Sequence, residues 1–343
     1  MNFQSRHFSS LLPVLSLALI FACPGLTQSY WITDLGTLGG LGSSADGISA
    51  SGEITGSAAT RSASHAFLYS GGTMVDLGTL GGEYSQGQGV NAAGVVVGYS
   101  TRSDGTYRGF VYANGQMTAL ATLGGNYGAA YAINKNGEIV GQSYTATNLP
   151  HAFLWSVGQM TDLGTLGGNQ PGWSTTASGI NDSGQVVGYS YLPDGNFHGF
   201  LYTNGSMQDL GTLGGTFSQA YAINNAGQIT GQAYLPGNTQ AHAFLYSAGQ
   251  MTDLGALNVY SSGLSINRAG VVVGNADVKN NTGFLVYHAV IYAKGKLWDL
   301  NRLIPAGSGW VLSAATSIND AGQIVGYGTT KGGQHAFLLN PSK

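Results

Sequence analysis

The seven residues Asp162-Leu163-Gly164-Thr165-Leu166-Gly167-Gly168 are written out again from Asp34, Asp76 and Asp209. Degraded copies open at Ala119 (A-L-A-T-L-G-G), Asp253 (D-L-G-A-L-N-V) and Asp299 (D-L-N-R-L-I-P). These seven copies recur every 42 to 47 residues. A period of that length matches one blade of a β-propeller and exceeds one turn of a leucine-rich or hexapeptide solenoid. The chain must therefore fold by setting one small unit against the next.

The repeat between residues 174 and 210 holds four strand candidates: Ser174 to Ile180, rich in small residues; Gln185 to Tyr189, β-branched; His198 to Tyr202, alternating; and Ser206 to Leu210, which runs into the marker. Asn181-Asp182-Ser183-Gly184 joins the first pair and Thr203-Asn204-Gly205 the last, both tight turns in which Asn caps the backbone and Gly supplies positive φ. The first turn returns as Asn91 to Gly94, Asn134 to Gly137, Asn224 to Gly227, Asn267 to Gly270 and Asn319 to Gly322, with Ser49 replacing Asn in the first copy. No helical period of useful length runs through residues 30–343, so an all-β seven-bladed β-propeller of four-stranded antiparallel blades is expected there. Tyr30 to Leu35 reads as a fourth strand, and the chain stops at His335 to Leu339, a third strand. Pairing the two would close the ring through the N-terminal strand and leave no open sheet edge.

Composition sets the rest of the frame. Of 343 residues 43% are hydrophobic and only 8% charged, against roughly 25% charged in an average soluble domain. Solubility then rests on Ser, Thr, Asn, Gln and Gly. Residues 1–29, with Arg6 and His7 ahead of an apolar run from Leu11 to Ala22, read as a secretory signal peptide. Its Cys23 is the single cysteine, so the mature domain is expected to carry no disulfide; Ile20-Phe21-Ala22-Cys23 also loosely matches a lipoprotein signal, in which Cys23 would be acylated. The expected location is secreted or cell-surface, with lipid anchoring through Cys23 as the alternative. No later run reaches 18 apolar residues, so no transmembrane span is expected. Losing Arg6 leaves 11 bases against 15 acids, a net charge near -4 with no basic stripe, which argues against a nucleic-acid partner.

His65-Ala66-Phe67, His151-Ala152-Phe153, His242-Ala243-Phe244 and His335-Ala336-Phe337, taken with the D-L-G-T-L-G-G segments, resemble the HAF-repeat family of bacterial extracellular proteins over residues 31–340. Arg108-Gly109-Phe110, His198-Gly199-Phe200 and His288-Ala289-Val290 depart from that tripeptide. The resemblance implies an exported repeat protein and no particular chemistry.

Spacing points to a working face. The turn Gly and the second-strand Gly are four residues apart in all seven copies, from 52 and 56 to 322 and 326, and the His-Ala-Phe position precedes the marker Asp by eleven. The loop between second and third strands, by contrast, and the marker loop both vary in length. In a meander these two variable loops emerge on one side, where loop-borne function belongs. The marker loops carry an aromatic at nearly one phase, Tyr84, Tyr127, Trp173, Phe217, Tyr260 and Trp310, with Tyr107, Tyr144, Tyr191 and Tyr234 in the other loops. Rings set among uncharged polar residues suit stacking on sugars or on a neutral polypeptide, while plugging the seam between blades is the competing role.

His65, His151, His198, His242, His288 and His335 recur once per repeat. Equivalent third-strand positions should stand roughly 14 Å apart given strand spacing, whereas one metal needs its ligands within about 2.1 Å. A structural bond to the marker acids Asp34, Asp76, Asp162, Asp209 and Asp253, or to a loop backbone carbonyl, is expected instead, and Arg108 with Ala119 lose His and Asp together. No metal, cofactor or catalytic residue is expected. Glu83 with Asp46, both read as marker-loop residues, is the one acid couple worth testing. The expected function is a monomeric binding module for an extracellular neutral glycan or polypeptide; a glycan hydrolase or lyase, and a structural surface or matrix protein, are the alternatives.

Overall fold

The computed structural model describes residues 29–280 and 282–342; the leader expected over residues 1–29, with Cys23, falls outside them but for Ser29. Among the described residues all regular structure is β, apart from a single 3-10 turn at Leu300–Arg302. The unit expected between 174 and 210 is a meander of Thr175–Ile180, Val186–Tyr191, Phe197–Thr203 and Ser206–Asp209. These pair antiparallel in that order, and the same order recurs in sheet after sheet. The meanders spanning residues 43–76 and 81–119 are joined edge to edge by one parallel bridge, Ser64 to Tyr84. No sheet closes on itself. Tyr30–Asp34 lies antiparallel beside the last strand, Gly333–Pro341, with Tyr30 opposite Pro341 and Asp34 opposite Phe337. It thus takes the outer place that the short fourth strand holds elsewhere.

The constant Gly of the second strand has a steric cause. Each inner strand carries a register shift one residue past the position that faces this Gly, as between Ala45 and Gly47 or Ala220 and Ala222. The bulge pushes a carbonyl toward the second strand. A Cβ at Gly56, Gly98, Gly141, Gly188, Gly231, Gly274 or Gly326 would stand 1.8 to 2.0 Å from an inner-strand carbonyl oxygen. At Gly141, Gly231 and Gly326 it would also meet the ring of Phe153, Phe244 or Phe337 at 2.8 to 2.9 Å. No side chain fits there.

Apolar burial is organised between consecutive sheets. One cluster joins Val140 and Ala152 of one sheet to Ala177, Val186 and Phe200 of the next, with Leu163 of the connecting marker between them. Another joins Val325 and Ala336 of the last sheet to Ala45, Ile54 and Phe67 of the first meander. The marker Leu is buried at Leu35, Leu77, Leu120, Leu163, Leu210, Leu254 and Leu300. Its backbone N–H donates to the third strand of the sheet it leaves, as Leu77 N to Ala66 O at 3.0 Å. A serine opening the inner strand staples the same seam: Ser85 Oγ accepts from Ala66 N at 2.8 Å and donates to Gly78 O at 2.5 Å. Ser43, Ser218 and Ser261 repeat this pair of bonds.

The Asn-x-x-Gly turns touch one another as well. Asn134 Nδ2 donates to Asn181 O, Asn181 to Asn224 O, Asn224 to Asn267 O, and Asn319 to Ser49 O, at 2.9 to 3.2 Å.

Gly231→Ala is expected to destabilise by about 1–3 kcal/mol through overpacking, and Phe244→Ala by about 3–5 kcal/mol through the cavity it leaves. Urea unfolding of both variants checks the two values. A neutral Gly231→Ala would show that the bulged carbonyl yields.

Candidate functional site

The inner strands Ser43–Ile48, Gly81–Val90, Gly124–Ile133, Thr175–Ile180, Ser218–Ile223, Ser261–Ile266 and Val311–Ile318 surround a cavity of about 630 Å³. Their alternating side chains line it in levels. The deeper level is aliphatic, with Ile48, Val90 and Ile133 followed by Ile in the other four strands. Beyond it lie the Asn turns. Two residues earlier along each strand, the repeat stops repeating: Asp46, Gln88, Tyr131, Ser178, Tyr221, Leu264 and Thr316 stand at equivalent places.

Asp46 therefore belongs to an inner strand and not to a marker loop, because Ser43 to Ile48 pair with Ile54 to Ala58. Glu83 is exposed on the strand Gly81–Val90 and is not among the residues lining the cavity. The side-chain partner of Asp46 is Gln86, whose Nε2 donates to Oδ2 at 2.9 Å. Gln86 Oε1 in turn accepts from the hydroxyls of Tyr84 and Tyr99, the latter at 2.8 Å. Burial pushes Asp46 up to about 7, against the Gln86 bond that pulls it down. Burial also raises Tyr84, Tyr99 and Tyr327, and the charge of Asp46 adds to the rise in each. Tyr221 is raised to about 12, again by burial first.

A second cavity of about 370 Å³, lined by Tyr84, Tyr99, Tyr107, Tyr127, Tyr131 and Gln88, shares Tyr131 and Gln88 with the first. It lies toward the variable loops, since the inner strand starts and the second strand ends there. Tyr84, Tyr99, Tyr107, Tyr127 and Tyr144 form a continuous run of rings with centroids 5.1 to 6.3 Å apart. Trp173, Tyr191, Phe197, Phe217 and Tyr234 form another at 4.7 to 5.7 Å, in which Trp173 lies nearly parallel to Tyr191 at 16°.

All six marker-loop aromatics are half-buried. Tyr84, Tyr127, Trp173 and Phe217 enter the two runs, and Tyr84, Phe217 and Tyr260 sit in parallel bridges to the third strand of the preceding sheet. Tyr260 bonds Thr239 O through its hydroxyl at 3.3 Å. Trp310 points elsewhere: it packs edge-on against buried Phe337 at 6.1 Å, inside an apolar cluster. Sequence reasoning missed Tyr99, Tyr131, Tyr189 and Tyr221, which lie inside strands. Counting two residues back from each inner-strand Ile or Val would have found Tyr131 and Tyr221.

The repeated histidines lie away from the cavity. Nδ1 of His65, His151, His198, His242, His288 and His335 stands 2.8 to 3.0 Å from the carboxylate of Asp76, Asp162, Asp209, Asp253, Asp299 and Asp34 respectively. Each of these aspartates also accepts the N–H two residues on, as Gly164 N to Asp162 at 2.8 Å. Where Arg108 replaces His, its guanidinium bonds Asn126 O and Tyr107 O instead. Among the described residues no cluster of His, Cys, Asp and Glu could hold a metal ion.

No helix among the described residues is long and apolar enough to cross a membrane. No family model matches the chain, and no curated protein matches it by sequence. Solved structures do. The β-propeller domain of the Trilobed protease from Pyrococcus furiosus is 7% identical with TM-score 0.56, over 92% of this chain and 97% of that one. The acylaminoacyl peptidase of Pyrococcus horikoshii is 10% identical with TM-score 0.52, over 92% of this chain. TolB from Acinetobacter baumannii is 14% identical with TM-score 0.49, over 86% of this chain. The chain spans 64% of the length of that TolB and 52% of that peptidase. Together with the four-stranded antiparallel sheets, the first two likenesses make this an all-β protein of the propeller type.

Asp46 sets a pH dependence whose sign follows from its raised value. A carboxyl ordinarily near 4 that titrates near 7 in the fold holds its proton more tightly when folded, so its contribution to stability is complete below about 4. That contribution is lost as pH rises through about 7. Unfolding measured from pH 4 to pH 8 should show this fall in the wild type and lack it in Asp46→Asn.

Proposed function

We propose that this chain is an exported seven-bladed propeller of the HAF-repeat type, closed by its N-terminal strand, that works as a binding module for a neutral glycan on its variable-loop face. Closure is supported by the pairing of Tyr30–Asp34 with the last strand and by the turn amides, which pass from Asn91 to Asn319 and on to Ser49. Ser51 Oγ to Ala92 O, at 3.4 Å, supplies the remaining link. The apolar clusters between consecutive sheets follow the same circuit.

The single observation that carries the binding reading is the pair of aromatic runs, one of five rings and one of six with Tyr189 against Phe197, within residues 84–234 and beside an open cavity. A packing role alone would be needed equally at every seam. Sugar faces stack on such rings, and the surrounding Ser, Thr, Asn and Gln can meet hydroxyls. Glycosidase chemistry takes two carboxylates, and Asp46 is the single one among the described residues lining the central cavity. That favours the binder over the hydrolase.

The test is a glycan array and polysaccharide pull-down with residues 30–343. Tyr107→Ala with Trp173→Ala should reduce retention at least about tenfold, the loss of roughly 1.4 kcal/mol, with an unchanged melting temperature. Trp310→Ala should lower the melting temperature and leave retention intact, because its ring is packed into the apolar cluster at Phe337. Full retention by the first variant would place the ligand elsewhere.

A further inference from the structure

Wherever packing dictates the residue, the units agree closely: Phe in the third strand, with Val290 the exception, Gly in the second, Leu in the marker, Ile or Val at the deep level of the cavity. One level of the cavity disagrees in nearly every unit. Asp46, Gln88, Tyr131, Ser178, Tyr221, Leu264 and Thr316 share a strand position and a cavity, so backbone geometry gives no reason for them to differ. A ligand without the symmetry of the ring would.

The chemistry of that level is specific. Asp46 is its one acid, and no Lys or Arg lines the 630 Å³ cavity. Among the described residues Asp46 lines the cavity and accepts a single side-chain bond, on Oδ2 from Gln86. Gln86, held in turn by the hydroxyls of Tyr84 and Tyr99, is a neutral amide and leaves the carboxylate without a counter-charge. A divalent cation would call for several oxygen ligands, and no second carboxylate stands beside Asp46. An ammonium needs only one counter-ion and a few acceptors. Gln88 and Ser178 bring an amide and a hydroxyl to the level of Asp46, and Tyr131, Tyr189 and Tyr221 also line the cavity.

We propose that the central cavity binds an amino sugar, a hydroxylated ring bearing one primary ammonium, with Asp46 as the counter-ion and Tyr131 and Tyr221 as stacking walls. The cavity shares Gln88 and Tyr131 with the tyrosine-lined one, so the amino sugar sits at the end of a glycan whose chain lies across the rings. The inference rests on the glycan reading for the sugar and stands apart from it for the site. The titratable groups facing Asp46 are Tyr84, Tyr99 and Tyr327. All stay neutral below about pH 9, so near pH 7 the charge of the site is that of Asp46.

The experiment is calorimetric titration of residues 30–343 at pH 7 with the β-1,4 disaccharide of glucosamine, its di-N-acetylated form, and Nα-acetyl-lysine amide. The glucosamine disaccharide should bind at least about tenfold more tightly than either comparator, and Asp46→Asn should erase its advantage over the acetylated sugar. A carbon-detected NMR titration of the Asp46 carboxyl in the wild type reads the same coupling without a variant: saturating glucosamine disaccharide should lower its midpoint by about one pH unit, the equivalent of tenfold. Equal binding of the two sugars, an unmoved Asp46 midpoint, or lysine amide binding as tightly as the disaccharide would overturn the proposal. Neutral glycans held by the aromatic runs together with no preference for the amine would sink this site and leave the glycan reading standing.

Discussion

Burial between neighbours is the constraint on which everything else in this molecule depends. A four-stranded sheet has two faces and almost no interior of its own, so it gains apolar stabilisation only by lying against another sheet. The repeated residues are those that the seam requires. Marker Leu and third-strand Phe fill it, the second-strand Gly lets the bulged inner strand come close, and the inner-strand Ser ties the two sheets together. The His and Asp pairs lie farther out, where partial exposure limits what each bond contributes. A lost pair is therefore tolerated, as Arg108 and Ala119 show, whereas every second-strand Gly is retained.

The strands were legible because the constraints that shape them act locally and recur. Asn-x-x-Gly turns, alternation around His-Ala-Phe and the marker give the meander to within a residue or two at most ends, as at Thr175 against the expected Ser174. Asp46 was misplaced for a physical reason. Ser43-Ser44-Ala45-Asp46-Gly47 has the composition of a loop, and it is held as a strand by pairing with Ile54 to Ala58 and by the seam. The half-buried marker aromatics were visible by phase alone. Their partnerships were not, because Tyr99 meets Tyr84 only once the first and second strands pair, and Tyr107 meets Tyr127 only once two sheets are set side by side. Trp310 shows the opposite case, a ring of the right phase drawn into the core by Phe337.

Repetition and its failures divide the molecule into scaffold and surface. The second-strand Gly and marker Leu are uniform, and the cavity keeps one aliphatic level. Variation gathers at the level of Asp46 and along the rings from Tyr84 to Tyr234. Arg108 belongs to this second group, for its guanidinium turns to Asn126 O beside the contact of Tyr107 with Tyr127. In a repeat protein such irregularity is informative, since packing cannot have required it.

The strand Tyr30–Asp34 meets a partner some 300 positions away, and His335 reaches Asp34 across a separation of 301 residues. Every other sheet is completed by residues close in sequence, so contact order is low within units and very high at this one junction. Closing so long a loop costs entropy that grows only logarithmically with its length, while the junction adds a full strand and two seams at once. The pairing of Tyr30–Asp34 with Gly333–Pro341 is thus the contact of greatest sequence separation, while neighbouring sheets bury their faces against one another locally. A substitution that weakens Tyr30–Asp34 would therefore be felt in the last sheet, although some 300 residues separate the two in sequence.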